Sequence, residues 1–247
     1  MSFDPTWLDL REPADHAARS QELLQAFAAM MPKDAHLLDM GSGTGSTMRA
    51  VSPLLPDATW TLTDYDTALL ALAKERAPDV ETVQVDLSED LGGVLAREAD
   101  AITASALIDL VSAEWLDALV AHLQGRVVYI ALSYDGREEW LPPHDDDGEI
   151  LEAFQSHQRG DKGFGPALGA DAVPYLSKAL VNAGYRTKTA PSPWNLQPGA
   201  LMDSLSEGIA NAAMEAGVTA EKAKAWADLR SGSTNCCINH IDLLAYK

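Results

Sequence analysis

The ten residues Leu37-Leu38-Asp39-Met40-Gly41-Ser42-Gly43-Thr44-Gly45-Ser46 constrain this chain most. An apolar run enters a turn with glycines at 41, 43 and 45, and a helix-forming segment follows. Glycines at that spacing suit a backbone that takes positive φ or lies close to a ligand, and the helix behind them offers free N–H groups to a polar or anionic group. The pattern is not G-x-G-x-x-G, because Ser46 stands where the third small residue of a dinucleotide loop belongs. No Gly-Lys-Ser or Gly-Lys-Thr follows, so a P-loop is excluded too.

Further acidic residues stand where later strands end. Thr61-Leu62-Thr63-Asp64-Tyr65-Asp66 closes a second strand, with Asp64 at its tip and Asp66 placed to cap the next helix. Val83-Gln84-Val85-Asp86-Leu87 closes a third, and Asp86 reads either as a ligand contact or as a cap before Ser88-Glu89-Asp90. A fourth, Asp100–Leu110, ends in small residues around Ser105, with Asp109 beyond them.

The D-x-G-x-G-x-G loop with Asp64 and Asp86 resembles the first motifs of the Rossmann-like (class I) S-adenosylmethionine-dependent methyltransferases, and the whole is similar to small bacterial members of unassigned substrate. The resemblance spans residues 35–135 and implies S-adenosylmethionine as cofactor. It places the loop of Gly41, Ser42, Gly43 and Gly45 under the amino-acid moiety, with Asp39 ordering the loop, Asp64 at the ribose, Asp86 and Leu87 at the adenine, Ser105 beside the sulfonium, and Tyr65 as a further cofactor contact. Two other adenosyl-binding readings stay open: aminopropyl transfer, and a non-catalytic partner subunit that keeps the loop. No Asn/Asp-Pro-Pro-Tyr/Phe signature of base or glutamine amino methylation follows the fourth strand.

Strand-like runs at His36–Met40, Thr59–Thr63, Glu81–Val85, Ala101–Ala104 and Val127–Leu132 alternate with helical stretches. Such alternation predicts an α/β, doubly wound, mostly parallel sheet, seven-stranded with an antiparallel final strand at Cys236–Tyr246. The expected organisation is one domain over 1–247. A helical N-terminal extension covers 1–34, with Pro13 in a first helical turn, a cofactor half 35–135, and a substrate-side half 136–247 with helical lid insertions. Tyr134-Asp135-Gly136 and Trp140–Gly148 read as a long loop.

The extension and the lid segments carry the candidates for the acceptor side. Trp7, Arg11, His16 and Arg19 lie on the N-terminal helix and its approach, with Trp7 and Arg19 as substrate contacts and Arg19 equally suited to the cofactor carboxylate. Gln158 and Lys162 are further substrate candidates, and Asp109, Tyr134 and His157 are candidates for proton transfer. His144 beside three aspartates is read as a solvated loop, so no metal is expected.

A formal charge of −19, with 37 acidic against 18 basic residues and no basic cluster, argues against nucleic acid and for a small-molecule methyl acceptor. No apolar run approaches the ~20 residues of a membrane span, and Met1-Ser2-Phe3-Asp4 lacks a signal-peptide pattern, which points to the cytoplasm. The adjacent Cys236 and Cys237 suit reduced thiols in a late strand. Nothing in the sequence excludes a homo-oligomer.

Overall fold

Side chains from Leu37 to Met40 are buried without exception, which identifies β1 (His36–Met40) as a central strand of a sheet covered on both faces. The structure, a computed structural model, describes residues 3–247. The strands β2 (Thr59–Asp64), β3 (Glu81–Gln84), β4 (Ala101–Ser105) and β5 (Val127–Leu141) run parallel to β1, while β8 (Asn235–Tyr246) lies antiparallel between β5 and β6 (Arg186–Pro191). The spatial order is β3-β2-β1-β4-β5-β8-β6, so strand order reverses between β1 and β4. Ligands of open α/β sheets bind at the carboxyl edge of such a switch.

Helices α1 (Pro5–Ala18) and α2 (Gln21–Met30) form the N-terminal extension, and α3 (Ser46–Val51), α4 (Thr67–Arg76), α5 (Leu91–Leu95), α6 (Ala113–His122) and α8 (Ala172–Asn182) accompany the strands. Two apolar cores result. Leu38, Ile102, Ile130 and Leu243 meet Leu116, Leu119 and Leu176 on one face, and Leu37, Leu62, Tyr129 and Leu244 meet Leu24, Phe27 and Val51 on the other. Three more helices, α7 (Asp147–Gln158), α9 (Ala200–Glu215) and α10 (Ala220–Arg230), build a third core on Trp140, Cys236 and Ile238.

Two expectations are corrected here, for Pro13 and for residues 134–141, and one short strand is added to the seven expected. Pro13 lies inside α1, which starts at Pro5 under an Asp4 cap; its fixed φ suits a helix, and only one N–H is lost. Residues 134–141 are strand rather than loop, because β5 continues past Ser133 and pairs with β8 from Tyr134↔His240 to Leu141↔Asn235. The sheet has eight strands, since β7 (Trp194–Leu196), too short to leave a sequence signal, pairs with β8. The true loop begins at Pro142.

A bulge between Ile130 and Ser133 puts Leu132 at φ +58°, and the buried Asp242 carboxylate accepts its N–H at 2.9 Å. The same carboxylate accepts from Ser20 N at 2.9 Å and Tyr129 Oη at 3.2 Å, tying the sheet to the start of α2. No described helix is long and apolar enough to cross a membrane.

Candidate active site

The glycine loop leaves β1 with Gly41 at φ +61° and Gly43 at φ +52°. A Cβ on Gly43 would come within 3.3 Å of Leu8 on α1, so the loop requires glycine for conformation and for close approach alike. Asp64, at the tip of β2, accepts from Gly43 N at 2.7 Å and Asp66 N at 2.9 Å. Burial raises its pKa, against those two hydrogen bonds. Asp66 caps α4, as its position suggested.

Beneath the loop, the fully buried Asp39 accepts from Thr103 Oγ1 at 2.6 Å, while its Oδ2 has no partner. Desolvation pushes Asp39 up to about 7, opposed by the Thr103 bond and the charge of Arg19. Asp39 and Gly45 support the loop from below, and neither lines a cavity.

A cavity of about 340 Å³ lies over the loop. Its walls bring together Gly41, Ser42, Gly43, Asp64, Tyr65, Asp86, Leu87, Ser105, Arg19 and Lys162 from the sequence-derived candidates. Arg19 is only 2% exposed; its Nη2 donates to Ser105 Oγ at 2.9 Å, and its Nε and Nη1 have no partner. Thr47 Oγ1 donates to the same Ser105 oxygen at 2.9 Å. Asp86 both lines the cavity and holds the turn after β3: Ser88 N and Oγ donate to its Oδ1, which lowers its pKa. Tyr65 is 57% exposed at the rim, and burial lowers the pKa of Lys162.

The N-terminal extension is clamped onto this loop. Arg49 of α3 donates to both carboxylate oxygens of Glu12, at 2.7 and 2.5 Å, and to Thr44 O at 2.5 Å. His16 Nε2 lies 3.0 Å from Ser46 O.

A second cavity of about 370 Å³ adjoins the first, and Phe3, Arg11, Ala106 and Leu110 border both. It holds Trp7, Asp109, Tyr134 and Gln158 of the candidates. Asp109 sits on a 3-10 turn (Ile108–Leu110) just past β4, 7% exposed, with Oδ1 unpartnered; burial raises it to about 6. Burial also raises the Tyr134 phenol. At the junction Ala106 takes φ +50°, a strained value for a residue with a Cβ.

His157 is not brought to either cavity. Its Nε2 lies 2.9 Å from Glu215 of α9, with Lys162 Nζ 3.3 Å from Nδ1, so the ring is engaged by other side chains outside the two cavities. His144 and Asp147 are likewise engaged: Asp147 accepts from His144 N, Trp226 Nε1 and Arg230 Nη2. Among the described residues no three His, Cys, Asp or Glu side chains are grouped to hold a metal.

Sequence reasoning missed Glu138, Phe154, Trp194 and His240, all of which line the second cavity. Glu138 follows a register shift after Tyr134 in the extended β5, and no local pattern in the sequence marks it. Glu138 Oε2 accepts from Trp140 Nε1 at 3.0 Å, Oε1 is buried without a partner, and burial raises the group to about 7.

Residues 37–127 match the family model described as a methyltransferase domain. No curated protein matches significantly. Among solved structures, a candidate methyltransferase from Bacillus halodurans C-125 aligns at 14% identity over 90% of this chain and 96% of that one, with a TM-score of 0.53. The YcgJ protein from Bacillus subtilis aligns at 14% identity over 92% and 99%, with a TM-score of 0.54. These likenesses are of fold; the family match falls on the segment that builds the loop, Asp64, Asp86 and Ser105. Residues 37–127 therefore carry a methyltransferase domain, set in a Rossmann-like fold shared with these solved structures.

Proposed function

We propose that this enzyme transfers the methyl group to a small-molecule acceptor seated in the second cavity, by direct displacement. The observation that supports the reading is the junction of the two cavities at Ala106 and Leu110: a half-open pocket of a size for an acceptor adjoins the cavity over the glycine loop. A pocket of about 370 Å³ matches a small molecule rather than a macromolecular strand.

The residues present fit S-adenosylmethionine. Arg19 keeps two buried donors free for a carboxylate, Ser42 has an unpartnered hydroxyl, and the positive-φ glycines leave the backbone open. Asp64 would hold the ribose hydroxyls, and Asp86 with Leu87 and Tyr65 would hold the adenine. The bound cofactor supplies a methyl carbon already activated on a sulfonium. The protein's work is then alignment and exclusion of water.

In this reading Tyr134 stays protonated, since burial raises its pKa, and it orients an acceptor by hydrogen bonding. Asp109, raised to about 6, is mostly ionised at neutral pH and, lining the second cavity next in sequence to the junction residue Leu110, is the group there able to take a proton.

The test is calorimetry of S-adenosylmethionine on the purified protein, followed by transfer of labelled methyl to a panel of small acceptors. Binding with turnover on a small acceptor supports the proposal; label incorporated only into protein or nucleic acid would refute it.

A further inference from the structure

We propose that the second cavity takes an amine bound as its cation, with Glu138 and the aromatic walls holding the charge and Asp109 accepting the proton released before attack. The inference deepens the reading above and rests on it.

The charged and titratable groups of this cavity are Arg11, Asp109, Tyr134, Glu138 and His240, the Tyr134 phenol being held protonated by burial and by the neighbouring Glu138. Arg11 is already matched. Its Nε and Nη2 donate to the two oxygens of Asp15 at 2.9 and 3.1 Å, and its guanidinium lies 4.9 Å from the Trp194 ring centre. Trp194 Nε1 donates to the same Asp15 at 3.0 Å, closing the set. His240 is neutral, because burial lowers it to about 3. From behind Glu138, Arg230 is engaged with Asp147 and Pro142 O, and Asp135 is paired with Arg137. Arg11 and Arg230 act on Asp109 and Glu138 only through space, their own hydrogen bonds going to Asp15 and Asp147, so the two carboxylates face the cavity without a direct ion-pair partner.

Both carry a buried oxygen that no protein group satisfies, Asp109 Oδ1 and Glu138 Oε1. Leaving such atoms unpaired is costly, and a ligand able to donate to them recovers that cost. An anionic acceptor would be repelled. A neutral hydroxyl supplies one proton for two acceptors, whereas an ammonium supplies up to three donors and the opposite charge. The remaining wall is aromatic: Tyr134 and Phe154 pack edge to face at 5.7 Å, opposite Trp7 and Trp194. Aromatic rings beside carboxylates favour an organic cation.

Transfer to nitrogen balances with these groups. The ammonium loses one proton to the Asp109 carboxylate, which frees the nitrogen lone pair. That pair forms the N–C bond to the methyl carbon as the C–S bond breaks with its electrons left on sulfur. The product is a methylated ammonium, and the proton on Asp109 passes to solvent. Position favours Asp109 for this step, since its turn follows Ala106 and adjoins Leu110, both at the junction of the cavities.

The experiment is titration calorimetry on protein saturated with S-adenosylhomocysteine, using three probes of similar shape: phenethylamine, phenethyl alcohol and phenylacetate. The amine is expected to bind at least tenfold more tightly than either other probe. In the Asp109→Asn/Glu138→Gln double variant and in each single variant, amine affinity should fall, at least tenfold in the double, while S-adenosylhomocysteine affinity changes less than twofold. Equal or weaker binding of the amine, or unchanged amine affinity in variants that still bind S-adenosylhomocysteine, overturns the amine assignment and leaves the donor site standing. Failure of the unmutated protein to bind S-adenosylhomocysteine would overturn the donor reading itself.

Discussion

The guanidinium of Arg19, between α1 and α2 of the N-terminal extension, donates through Nη2 to the hydroxyl of Ser105, at the tip of β4, across 2.9 Å. Residues 86 positions apart are thereby joined in the wall of the first cavity. The extension is part of the site's construction, since the same Arg19 presents its other two donor positions without a partner.

Replacing Arg19 with Met keeps side-chain length and removes those donors. A hydrogen-bonded charge contributes roughly 1.5 to 3 kcal/mol, so S-adenosylhomocysteine affinity should fall by about 10- to 100-fold. Calorimetry of a variant shown by circular dichroism to be folded checks it. An unchanged dissociation constant would remove Arg19 from the donor site.

Asp64→Ala should also weaken the cofactor, by a similar factor of about tenfold or more, through loss of the ribose contact. It additionally frees Gly43 N and Asp66 N, so melting temperature should drop as well. Adenosine alone discriminates the two effects: its binding must weaken if Asp64 grips the ribose, and must persist if Asp64 only holds the loop.

Asp39 makes stability depend on pH. Its folded pKa of about 7 exceeds the ~3.9 of an unfolded aspartate, so the native state holds the proton more tightly between those values. The sign is that stability falls as pH rises from about 4 through about 7. Asp109 and Glu138, raised to about 6 and about 7, act in the same direction. Asp39→Asn retains an acceptor for Thr103 and should flatten the slope in part, gaining most over the wild type above pH 7. Urea midpoints at pH 4.5 and 7.5 measure this; a stability difference between the two proteins that is the same at both pH values would refute it.

Asp242→Ala should destabilise the fold by about 3 kcal/mol or more, because it strips acceptors from Ser20 N, Leu132 N and Tyr129 Oη in a buried place. Denaturant unfolding reads it directly. A loss below about 1 kcal/mol would mean the bulge at Leu132 is held by its strand pairing alone.

Legibility followed the range of the forces involved. The glycine loop, the Asp66 cap and β1 to β4 were readable because φ preferences, capping and apolar alternation act within a few residues. Residues 134–141 were misread for the same reason: Gly136 and the charged residues around it look like a turn, and only pairing with β8, about a hundred residues later, makes them strand. His157 was legible only by residue type, and its contact with Glu215 of a distant helix comes from tertiary structure.

By itself the sequence determined the glycine loop and the strand-end carboxylates, since a loop of this kind is written in consecutive residues. The second cavity was decided by tertiary structure alone. Its walls come from α1, the turn after β4, the extension of β5, and residues of α7, α9, β7 and β8. The charge left over there depends on which carboxylates other elements have already paired, and no local pattern records that.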